Sequence, residues 1–143
     1  MNKHHIDRLE KLYTFLGTIK PAKFDFSYWA TAANVSDTAK DINACGTTAC
    51  AMGWAGSMPE FRKRGLKLVW HKDDNVGYVE LLDKHGYKLF DEHAGAKFFG
   101  LTYEEAEFLF IPASDIAEKM PVNLYRRRLR KFIDRKKSKL GIK

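Results

Sequence analysis

Residues 47–58, "TTACAMGWAGSM", constrain this chain more than any other stretch. Read at about 100° per residue, Ala49, Met52, Gly53 and Gly56 share one side of a helix. Cys50, Trp54 and Phe61 share a second side, and Ala51, Ala55 and Met58 a third. No side is polar, so a helix here must be enclosed all round. Gly53 and Gly56 each cost about 1 kcal/mol of helix propensity against alanine. The usual compensation is a second backbone at close range. The expectation is a buried central helix that starts at Thr47 or Thr48, capped by a threonine hydroxyl, and runs to about Met58, with Pro59 just beyond.

Apolar periodicity arranges the remaining elements around it. Ile6, Leu9, Tyr13 and Leu16 form the stripe of a first helix from about Lys3 to Leu16, stopped at Gly17. Pro21 interrupts the chain, and Phe24 and Phe26 alternate inward along an extended segment reaching Trp29. The polar, aperiodic "NVSDTAKDINA" reads as a surface loop. Leu66, Leu68 and Trp70 alternate along a strand, "DDNVG" turns the chain, and Tyr78 to Leu82 returns it as a small β-hairpin. Gly100 ends one short helix, and Thr102 with Glu105 forms a capping box for the next. Ala106, Leu109 and Phe110 of that second helix point inward, and Pro112 ends it. Tyr125, Leu129, Phe132, Ile133 and Leu140 recur as the apolar stripe of a last helix, at about 121–139, begun by Pro121.

The fold class that follows is mainly α (α+β). It is a compact single domain over residues 1–143 with a buried central helix, a small β-hairpin and a basic amphipathic C-terminal helix. A chain of 143 residues can bury one core without disulfide staples. The first residues, "MNKHHIDRLEKLYTF", hold no apolar run of the kind a signal peptide needs, and no segment suits a membrane span. A cytoplasmic protein with no membrane partner is expected, so Cys45 and Cys50 are read as reduced thiols.

Charge divides the chain unevenly. The net charge is +7, yet Arg126 to Lys143 holds ten basic residues against the single acid Asp134, a balance of +9. The preceding 125 residues hold 15 basic and 17 acidic groups, a balance of −2. With its apolar stripe docked on the body, the last helix turns Arg127, Arg128, Lys131 and Arg135 to solvent. Such a face attracts polyanions, and it also suits the dipole at a helix C-terminus.

Three chemistries compete for the central stretch and its surroundings. Cys45, just ahead of a helix start, gains acidity there, whereas Cys50 within an apolar helix loses it. No histidine is near in sequence, and His71, His85 and His93 lack the paired spacing of zinc modules. No catalytic, metal or cofactor set is therefore expected. The sequence Cys45-Gly46-Thr47-Thr48-Ala49 offers amides and hydroxyls to a phosphate, although it lacks the lysine of a P-loop. "AKFFGLTYEEAEFLF" has the packing of a helix-turn-helix, but Glu104, Glu105 and Glu107 would repel DNA phosphates.

The order of the blocks carries a resemblance. Phe24, Phe26 and Trp29 are followed by "CGTTACAMGWA" and "PEFRKRGL"; a hairpin, "AKFFGL", "EEAEFLF" and the basic helix come after. Over about Phe24 to Ile133 this is similar to a family of small bacteriophage and prophage proteins with a Cys-Gly-Thr-x-x-Cys-x-x-Gly-x-Ala signature. Many members carry histidine where this chain has Trp54. The resemblance implies origin rather than activity: a non-enzymatic accessory protein that binds a host component. The first expectation is an anionic nucleotide used in defence signalling, sequestered for counter-defence. Its contacts would be Gly46, Thr47 and Thr48 for phosphate, Trp29 or Trp70 for a base, and Arg127, Arg128 and Lys131 for charge. The alternatives are nucleic acid bound by the basic C-terminal helix, or a host protein. The oligomeric state is left open, a homo-oligomer included.

Overall fold

The computed structural model describes residues 1–26, 28–32, 42, 47–72, 74–111 and 120–142. It is an α+β fold that, among the described residues, combines six α-helices with a four-stranded antiparallel sheet. The expected loop at 34–44 lies outside the described residues except for Ile42, which is buried, and the expected helix stop at Pro112 lies outside them too.

The first helix, α1 (Lys3–Leu16), has the expected bounds. Asn2 caps it: its Oδ1 accepts from the backbone N–H groups of His4 and His5, while the Asn2 N–H donates to His5 Nδ1. That is a capping box with histidine in the usual glutamate place. Ile6, Leu9, Leu12 and Leu16 are buried, and Tyr13 is only half-buried. Phe24 and Phe26 point inward as expected, and both rings meet Tyr125 at 5.5 and 5.4 Å.

The expected helix from Thr47 is corrected. Helix α2 spans only Ala51–Ala55, with Cys50 at its N-cap and no side-chain cap. Thr48 instead exchanges backbone hydrogen bonds with Thr31, Ala49 donates to Lys23 O, and Cys50 donates to Tyr28 O. Residues 48–50 are thus drawn into extended pairing with residues 23–31, and the helix begins only where those partners end. All five α2 residues are buried. Pro59 then opens the separate helix α3 (Pro59–Arg62).

The close approach read from the glycines is present. A Cβ on Gly53 would overlap the Trp29 carbonyl oxygen and lie 2.9 Å from Ala49 Cβ. A Cβ on Gly56 would lie 2.7 Å from the backbone nitrogen of Leu68, which donates to Gly56 O at 2.9 Å. One backbone crosses each glycine.

The small hairpin proves to be part of a larger sheet. Strands β2 (Leu66–Trp70) and β3 (Val76–Leu82) pair in the register Leu66↔Leu81, Leu68↔Val79, Trp70↔Gly77. Two short strands share the other edge of β3: β1 (Ala30–Thr31) at Gly77 and Val76, and β4 (Lys88–Phe90) at Glu80 to Leu82. Both are too short for an alternating pattern to announce them.

Helix α4 (Asp91–Phe99) follows β4 directly, and Asp91 Oδ1 accepts from the Val79 N–H at 2.9 Å, tying the helix to the sheet. Gly100 ends α4 in the left-handed region at φ 66°. Thr102 and Glu105 then cap α5 (Tyr103–Phe110) with reciprocal bonds of 3.1 and 3.0 Å. The last helix, α6 (Val122–Leu140), buries Tyr125, Leu129, Phe132 and Ile133, and Tyr125 donates its hydroxyl to Leu109 O at 2.8 Å. Leu140, expected in the same stripe, is 43% exposed.

Candidate nucleic-acid interface

Charge on α6 is sorted by what α1 and α5 present to it. Arg130 makes a two-pronged ion pair with Glu10 on α1, both contacts at 2.9 Å, and its Nε donates to Asp134. Lys137 reaches the same Glu10 at 3.3 Å. Arg126 donates to the Tyr13 carbonyl at 3.0 Å and lies 4.1 Å over the Tyr13 ring. Lys136 pairs with Glu105 of α5. Arg128, expected in solvent, instead stacks 3.8 Å over Phe108, where burial makes its charge harder to hold.

What remains is a row. Arg127, Lys131, Arg135 and Lys139 are exposed, and among the described residues none has an ion-pair or hydrogen-bond partner for its side chain. They recur every fourth residue, so successive charges rise by about 6 Å and the row extends about 18 Å along the helix while winding about 120° around it. The acid beside the row is Asp134, three residues after Lys131, and it pairs with Arg130.

The pairing with Glu10 carries a pH signature. The hydrogen bond from Arg130, helped by Lys137 and opposed by burial, holds the Glu10 carboxyl below its ordinary value of 4.5. A carboxylate whose folded pKa is depressed stabilises the fold above its unfolded pKa and loses that contribution as pH falls through the folded value. Thermal unfolding between pH 3 and 6 is therefore expected to show wild type more stable than Glu10→Gln by about 1 kcal/mol near pH 6, with the gap closing as pH falls below 4.5. A gap that persists at pH 3 would contradict the assignment.

The other expected contacts are dispersed. Gly46 and Cys45 lie outside the described residues. Thr47 is 2% exposed and Thr48 is bridged to Thr31, so neither stands at a helix start. Trp29 and Trp70 are half-buried against the core. Of the expected contacts, only Arg127 and Lys131 are brought together, in the row with Arg135 and Lys139. Burial pushes the Cys50 thiol up to about 12, so it is a packing residue. Trp54 is buried and donates its indole N–H to Lys23 O. Among the described residues no three His, Cys, Asp or Glu side chains could hold one metal ion, and no helix is long and apolar enough to cross a membrane. Helices α4 and α5 pack as a pair, and Glu104 and Glu107 of α5 face solvent.

Compared with known proteins, the chain matches no family model, no curated protein and no solved structure. Its functional reading rests on the residues themselves.

Proposed function

We propose that this is a non-enzymatic nucleic-acid-binding protein of bacteriophage or prophage origin, acting in the host cytoplasm. In this reading residues 1–143 form a single domain, the buried α2 is its central packing element, and α6 is its binding element. The observation that carries the proposal is the unpartnered row Arg127, Lys131, Arg135 and Lys139. The body acids take up Arg130, Lys136 and Lys137 and leave these four aside. A free cation every ~6 Å along a helix suits the repeating phosphates of a polymer strand better than the single anionic group of a small molecule. None of the four is held in a bidentate geometry that would read a base edge, so contact with the phosphate backbone and little sequence preference are expected.

Fluorescence anisotropy with labelled duplex and single-stranded oligonucleotides tests this. Four phosphate contacts imply a log–log salt slope of about −3.6 on duplex, hence about a hundredfold loss of affinity between 50 and 200 mM salt. Binding that ignores salt, or none at 50 mM, would overturn the reading.

A further inference from the structure

A second concentration of positive charge lies away from α6. It lines a cavity of about 420 Å³ bounded by the first turns of α1, the end of α4, the turn after α3 and the turn between β3 and β4. Arg8, Arg64, Lys84 and Lys97 face it together with His5 and His85. The acid in its lining is Asp83, whose Oδ1 already accepts from the backbone N–H groups of His85 and Tyr87 and so holds the turn. Among the described residues none of the four Arg or Lys makes an ion pair.

The neighbouring hollow shows what balance looks like. It shares Arg8 and Arg64 but also contains Asp7 and Glu60, and there Lys11 pairs with Glu60 at 2.6 Å. On the α4 side of the same two arginines the lining acid is Asp83, engaged with the backbone of its own turn, and no ion pair with Arg8 or Arg64 forms among the described residues. From this geometry we infer that the cavity is a binding site for a phosphomonoester of nucleotide size, distinct from the α6 row.

The chemistry is specific at several points. Arg8 is held by one nitrogen on the Phe98 carbonyl at 2.6 Å, and its guanidinium lies 4.2 Å over the Phe98 ring. Its direction is therefore fixed before any ligand arrives, and its remaining N–H groups suit phosphate oxygens. Lys97 and Arg64 are exposed cations of the same lining, available to a dianion. Leu82, 51% exposed, offers an apolar wall for the non-phosphate part. The volume falls within the range of small-molecule sites. The crowding of like charge also acts on the ionisable groups of the cavity. Burial, then His4, Arg8, the N-terminus and Lys97, hold His5 below its ordinary value, and burial and Arg64 do the same to Arg8. With Nδ1 of His5 accepting from the Asn2 N–H, the neutral ring keeps its proton on Nε2. A bound dianion offsets this repulsion and raises the His5 pKa.

The ligand could be a free nucleotide or the 5′-phosphate at the end of a strand; the phosphomonoester is common to both. The test is titration calorimetry of the full chain with 5′-AMP, with adenosine, and with a short oligonucleotide carrying or lacking a 5′-phosphate. His5 is followed in parallel by NMR. 5′-AMP is expected to bind at least about tenfold more tightly than adenosine, and the double variant Arg64→Glu/Lys97→Glu to lose at least about tenfold of that affinity. Both substituted side chains are exposed, so the fold is retained. The His5 pKa should rise with 5′-AMP and not with adenosine. If only the 5′-phosphorylated strand binds in a way that the double variant abolishes, the site stands and its source is a strand end. If 5′-AMP matches adenosine and the 5′-phosphate adds nothing to the strand, or if the double variant binds unchanged, the inference falls. Arg127, Lys131 and Arg135 remain in every variant used, so loss of the cavity site and loss of α6 binding are read separately.

Discussion

Gly53→Ala is expected to destabilise the fold by at least about 3 kcal/mol. Propensity alone argues the opposite, because alanine inside a helix is worth about 1 kcal/mol over glycine. Contact geometry decides the sign. The added methyl would overlap the Trp29 carbonyl oxygen and press on Ala49 Cβ at 2.9 Å. Neither neighbour is a flexible side-chain tip that could swing away. The backbone at Trp29 is pinned on both sides, by Tyr28 O accepting from the Cys50 N–H and by Ala30 pairing with Gly77 of β3. Moving it would break the contact between α2 and the sheet. Gly141→Ala is the matched control. It sits at φ 69° with nothing within 4 Å of an added methyl group, so it should cost only the left-handed strain of about 1–2 kcal/mol. Urea denaturation of the two variants side by side checks this. A Gly53→Ala protein as stable as wild type would mean that α2 does not touch the Trp29 backbone.

The same helix shows what the sequence could and could not say. The pair Gly53 and Gly56 within an all-apolar stretch announced a close backbone approach, and Trp29 O and Leu68 N are the atoms that make it. The start of the helix was not legible. Thr47 and Thr48 are good caps by residue type, but the backbone groups of Thr48, Ala49 and Cys50 are claimed by residues 23–31, a competition that appears only once both segments are in place. Strands β1 and β4, of two and three residues, fall below the length at which alternation means anything. Helix ends fixed by local chemistry were read well, as at Gly100 and at the Thr102–Glu105 box.

For the site the division is similar. That α6 is cationic was plain from composition, and Arg127, Lys131 and Arg135 were placed outward by the apolar stripe. Which cations stay unpaired was hidden. Arg130 meets Glu10 across 120 positions of sequence, and Arg128 leaves solvent for a ring on α5. The cationic cavity draws on α1, α4 and two turns, so no local motif marks it.

The largest functional effect is expected from Arg127→Ala/Lys131→Ala/Arg135→Ala. Each phosphate contact adds roughly 0.9 to the salt slope, so removing three of four should flatten it from about −3.6 to about −1. The same terms predict an affinity loss on the order of 10²–10³-fold near 100 mM salt. The fold should not notice, because all three side chains are exposed and unpartnered among the described residues. Arg130→Ala supplies the converse. It leaves Glu10 without its two-pronged partner, so it should lower stability by about 1 kcal/mol while oligonucleotide binding changes little. Deleting α6 outright cannot separate these cases, since Leu129, Phe132 and Ile133 belong to the core and their removal unfolds the body that presents the row. Point variants can. Equal salt slopes for wild type and the triple variant would show that the polyanion, if bound at all, sits elsewhere on the molecule, and the row would then be a solvated helix face with no partner.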